Sequence, residues 1–95
     1  MRTEYTVVKI VKNQQGNHET NKKIESFTNY DAAKAYLNDA LDNIAKNWAY
    51  HENVEFYRVS GVNHNRYYAG LEQKDHAIDV CFIICPEKVV EEDDD

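Results

Sequence analysis

Between Thr28 and Tyr50 the apolar residues recur at helical spacing, and this stretch limits what the rest of the chain can fold into. At about 100° per residue, Tyr30, Ala33, Leu37, Ala40, Leu41, Ile44 and Trp48 fall in one sector about 100° wide, as one buried helix face requires. Lys34, Asn38, Asp39, Asp42, Asn43, Lys46 and Asn47 lie at its edges or opposite. The start carries its own signal: Thr28 reads as the cap, Asp31 as a capping-box-like acid, and Phe27 as a staple onto Ala32. A single amphipathic helix cannot bury its stripe alone and needs a sheet to lie on.

The remaining segments supply one. Glu4 to Lys12 is rich in Val and Ile, with Thr6, Val8 and Ile10 on one face and Tyr5, Val7, Lys9 and Val11 on the other, which predicts an interior strand. A turn cluster around Gly16 leads into Glu19 to Phe27, where Ile24 stands among Lys22, Lys23 and Glu25, as suits a solvent-facing edge. After the helix, Val54 to Val62 and Arg66 to Glu72 are strand-like and are joined by the tight turn Asn63-His64-Asn65. His76 to Cys85 is the most apolar segment and belongs near the sheet centre, with Pro86 expected to end it. The reading is an α+β domain of order ββαβββ over residues 1–86, an antiparallel sheet of four or five strands with one helix on one face.

The net charge of −6 is unevenly spread. Residues 87–95 hold one Lys against six acids, a sum of −5, so the other 86 residues sum to −1. The acidity is a tail, expected to be disordered, on a nearly neutral body. No apolar run approaches the roughly 18 residues of a membrane span, and the N-terminus lacks the pattern of a secretory signal, so a cytoplasmic protein is expected. Cys81 and Cys85 share one strand with Cα atoms about 13 Å apart, too far for a bridge, and read as buried reduced thiols.

Catalytic motifs are not apparent. There is no nucleophile elbow, no Gly-rich phosphate loop and no zinc-binding helix motif. Asp75-His76 with Asp79, and His51-Glu52, offer acid–base types, but neighbours on a strand point to opposite faces, so adjacency makes no pair. His18, His51, His64 and His76 fall in turns or at element ends without ligand spacing. The sequence therefore points away from an enzyme and to no catalytic residue, cofactor or metal.

The seven tyrosines point to binding. Tyr5, Tyr57 and Tyr67 can share the sheet face away from the helix with Val7, Val11, Val59, Leu71 and Ile83, while Arg58, Arg66 and Tyr68 turn to the other side or the rim. One helix covers only part of one face, so the far face is left apolar and aromatic, as binding surfaces are. The candidate contact residues are Tyr5, Tyr57, Tyr67, Val59 and Leu71 on that face, with Asp39 and Asp42 on the outer side of the helix. Nucleic acid is a poor fit, because Lys9, Lys12, Lys22 and Lys23 are offset by Glu4, Glu19 and Glu25, and phosphate binding needs a basic surplus.

In size, element order and absence of catalytic groups, the chain is similar in kind to small proteins of phages and mobile elements, anti-CRISPR inhibitors among them. That resemblance implies a non-enzymatic module that binds a host protein through the open face, with the acidic tail assisting against a nucleic-acid-handling enzyme. The alternatives from other classes are a structural homodimer using the same face, and a nucleic-acid-binding or small metal or enzyme domain.

Overall fold

The computed structural model describes residues 2–13 and 17–90. Their elements are β1 (Arg2–Asn13), β2 (His18–Phe27), α1 (Tyr30–Tyr50), β3 (Phe56–Asn63), β4 (Arg66–Gln73) and β5 (Asp79–Val89). All five strands join one antiparallel sheet in the order β2-β1-β5-β4-β3, so the fold is the ββαβββ α+β arrangement the sequence predicts. The most apolar strand, β5, is central. Lys-rich β2 and short β3 take the edges.

The helix is set by its stripe and by a cap one residue later than expected. Asn29, not Thr28, is extended at φ −121° and accepts the Ala32 N–H on its Oδ1 at 3.1 Å. Both residue types cap well, and the one whose oxygen reaches the third residue on wins. Ala32 itself is exposed, and Phe27 packs instead on Tyr36, with ring centroids 5.3 Å apart. At the other end the N–H groups of His51 and Glu52 both donate to the Asn47 carbonyl, and Asn53 turns the chain away with φ 53°. Asparagine is among the few side chains that accept that left-handed backbone.

Ala33, Leu37, Leu41 and Trp48 of the helix close over Val7 of β1, Ala69 and Leu71 of β4, and Val80, Phe82 and Ile84 of β5. Every buried apolar residue described belongs to this one layer between helix and sheet. Edge-to-face rings finish its ends, Tyr5 with Tyr30 and Trp48 with Phe56, both at 5.6 Å. On β2 the register slips where Val7 faces Glu25 and Val8 faces Lys23, leaving Ile24 as the extra residue of a bulge. Ile24 thereby packs against the core despite its edge position.

The boundaries of β5 differ most from the sequence reading. β5 starts at Asp79 because residues 74–78 form the turn from β4, and it runs through Pro86 to Val89. β4 pairs with β5 only as far as Ile83, so on that side the missing N–H of Pro86 deprives no ladder of a donor. Glu87, Lys88 and Val89, expected to open the disordered tail, instead pair with Glu4, Thr3 and Arg2 of β1. Lys23 reaches Glu87 at 3.0 Å, and the Lys88 ammonium donates to the Thr3 hydroxyl at 3.0 Å. The rest of the acidic run, residues 91–95, lies outside the described residues.

Between β3 and β4, His64 and Asn65 both take positive φ, 52° and 62°. This two-residue turn matches the twist of the strands it joins and fixes the β3–β4 register.

Candidate binding surface

The far side of the sheet is built by alternation. Because paired residues share a face, the registers can be read across the strands as rows. One row runs Asn21, Ile10, Cys81, Gly70, Val59, and the next runs Lys23, Val8, Ile83, Tyr68, Gly61. The flanking rows are polar. On one side stand Glu19, Lys12, Asp79, Glu72 and Tyr57, and on the other Ser26, Thr6 and Cys85, with Arg66 and Asn63 completing it. An apolar band four strands wide therefore crosses the open face between two charged borders. Val8, Ile10, Val59, Tyr68, Cys81 and Ile83 in this band are half-buried, each covered by neighbours in the sheet but, among the described residues, by no second layer.

Two glycines shape the band. A Cβ on Gly61 would stand 3.0 Å from Tyr68 Oη, so the Tyr68 ring lies across β3 at that point. A Cβ on Gly70 would come within 2.6 Å of the Val80 carbonyl, and Val80 lines a hollow of about 250 Å3 on this face. Ile10, Val59, Tyr68 and Cys81 wall the hollow, and Lys12, Glu72 and Asp79 rim it.

The expected contact residues are dispersed by this geometry. Tyr57, 51% exposed, and Val59 do lie on the open face. Tyr5, Tyr67 and Leu71 do not, nor do Val7 and Val11, which share the helix side. Leu71 is fully buried, Tyr5 abuts Tyr30, and the Tyr67 ring lies 4.7 Å under the Lys34 ammonium. Tyr68, expected on the other side or the rim, is the tyrosine of β4 that faces outward. Asp39 and Asp42 are exposed on the helix, away from the open face, and Asp42 accepts from Arg58 at 2.6 Å while Asn38 accepts from the same guanidinium.

Charge marks the misassigned faces. Arg66 and Glu72 on β4, Lys12 on β1 and Asp79 on β5 all share the parity of Tyr68, Ile10 and Cys81. A face bearing Lys12, Arg66 and Glu72 is the solvent face, with Asp79 buried at its margin by the turn before β5. Leu71, flanked by Gly70 and Glu72, therefore had to point inward.

Acid–base groups do meet at one end of the sheet. His76 is in the β4–β5 turn with φ 56°, and its Nδ1 is 3.4 Å from Asp79 Oδ2, while the Gln73 N–H donates to Oδ1 of the same carboxylate. His76 meets Asp79, three residues on, because it is in the turn and not on a strand, while the adjacent acid Asp75 accepts from the Ala77 N–H. The Asp79 carboxylate thus fastens the turn to the start of β5. Among the described residues no three His, Cys, Asp or Glu side chains are grouped to hold a metal ion, and no helix is long and apolar enough to cross a membrane.

Cys81 is the reactive group nearest the hollow. Burial pushes its thiol pKa up, Lys12 opposes this, and Glu72 adds to it. A raised pKa leaves less thiolate at neutral pH, the reverse of an activated nucleophile. Peptide-resolved alkylation by iodoacetamide at pH 7.5 is expected to modify Cys81 several-fold more slowly than a free cysteine peptide, with the gap closing as pH rises. Equal rates at pH 7.5 would contradict this account of the thiol.

No protein-family model matches the chain, and no curated protein or solved structure is significantly similar to it.

Proposed function

We propose that this chain is a non-enzymatic protein-interaction module whose contact surface is the open sheet face. The observation that carries the reading is the apolar band of Ile10, Val8, Cys81, Ile83, Tyr68 and Val59 between charged borders, on the side of the sheet that the helix leaves bare. Exposed apolar surface rimmed by polar groups is the anatomy of protein contact sites. The protonated bias of Cys81 and the structural use of Asp79 support binding over chemistry. An inhibitor that occupies a host protein would use this same band, so the tyrosines that matter are Tyr68 and Tyr57.

Ile83→Lys places a charge at the centre of the band. The long stem can lift its ammonium into water, so folding is expected to survive. Asn43→Lys, which lines a separate groove on the helix side, is the matched control. Affinity capture with the wild-type chain, followed by mass spectrometry, should recover partners that Ile83→Lys loses at least tenfold and Asn43→Lys retains. Equal recovery by folded Ile83→Lys would remove the open face from consideration.

A further inference from the structure

We infer that the partner this face fits is a second copy of the same chain, packed sheet against sheet about a two-fold axis that runs across the strands. The inference rests on the reading of the open face as a contact surface. The axis lies between the two apolar rows and brings each row onto the other row of the second copy, which makes the rows a test of self-complementarity.

Under that operation Tyr68, the one large ring of the band, comes opposite Gly70 of the second copy, between Cys81 and Val59 that wall the hollow, and the reverse contact forms by symmetry. Ile10 meets Val8, and Cys81 meets Ile83. In the borders Glu72 comes opposite Arg66, two residues before Tyr68 on the same face, and this pair also occurs twice. Lys12 faces Thr6, Asp79 faces Cys85, and no like charges are brought together.

The other in-plane axis, along β5, does worse. It brings Lys12 opposite Glu72, but it also sets Asp79 against Asp79 and Glu87 against Glu87, and like charges face to face oppose association. Aligned sheets cross at about 30°, so these contacts are row to row rather than atom to atom.

Five strands about 4.8 Å apart and four rows about 7 Å apart give roughly 500 Å2 of face per copy, from strand spacing and rise alone. About 1,000 Å2 in total is near the lower limit for a specific complex, the size class of weak, reversible contacts, so a dimer that dissociates on dilution in the micromolar range is expected.

Sedimentation velocity on the full chain from about 1 to 500 μM should show the mass rising from monomer towards twice that value. Arg66→Glu and Glu72→Arg should each raise Kd about tenfold, since each places two like-charge pairs in the interface. The double variant carrying both changes should return Kd to within about threefold of wild type, a rescue that no loss of folding can produce. A chain that stays monomeric throughout, or a dimer indifferent to both single changes, overturns self-association. If the monomer's Ile83→Lys variant still loses a foreign partner, the interaction reading stands while the dimer falls. If it loses none, both fall.

Discussion

Leu37→Ala is expected to lower the unfolding free energy by about 3 kcal/mol, within the range for emptying a leucine site in a packed core. Leu37 has no exposed surface and lies mid-stripe on α1, between Ala33 and Leu41, in the apolar layer between helix and sheet. The flanking side chains belong to a helix and a hydrogen-bonded sheet, which cannot collapse far into the space. For a domain of this length a loss of that size amounts to roughly 15 °C in melting temperature. Leu37→Met keeps the volume and should cost less than about 1.5 kcal/mol. Chemical denaturation of the two variants with unchanged slope m checks both values. A cost for alanine below about 1 kcal/mol would mean that the helix does not close on the sheet at this point.

The second large effect is expected at Gly70, where the sign is more telling than the size. Glycine inside a strand ordinarily costs about 0.5–1 kcal/mol relative to alanine, so the generic expectation for Gly70→Ala is a gain. Here the new Cβ would meet the Val80 carbonyl at 2.6 Å and Cys81 Cα at 3.1 Å, both backbone atoms of the paired strand. Backbone cannot yield without opening the β4–β5 ladder at the sheet centre. Gly70→Ala should therefore destabilise by about 2 kcal/mol, in the range of overpacked sites. Gly61→Ala is the contrast. Its Cβ would press at 3.0–3.2 Å on the tip of the Tyr68 ring, which can swing outward, so its effect should stay within about 1 kcal/mol of zero. Equal effects at both glycines would contradict the close approach of β4 and β5.

The fold was legible because its determinants are local and periodic. The helix stripe, the doubly apolar β5 and the charged β2 each carried its own place in the layer. What failed to read out was which parity of β1 and β4 faces the helix, since Tyr5 with Val7 and Thr6 with Val8 are both plausible inner pairs. That choice moves every side chain to the opposite face, and it sent Tyr67 and Leu71 to the wrong one. The charges at Lys12, Arg66 and Glu72 could have resolved it, being costly to bury. The hollow at Gly70 depends on how closely two strands approach, and the Asp79–His76 contact on the path of a turn. Neither distance is encoded in any short pattern of residues.

The most direct measurement is photo-crosslinking from single positions of the full chain. A benzophenone side chain placed at Ile83 or Tyr57, on the bare side of the sheet, should form covalent adducts with a protein, whether another copy or a different one. The same probe at Ala35, exposed on the helix, should form none. Adducts from Ala35 with none from Ile83 and Tyr57 would contradict the account.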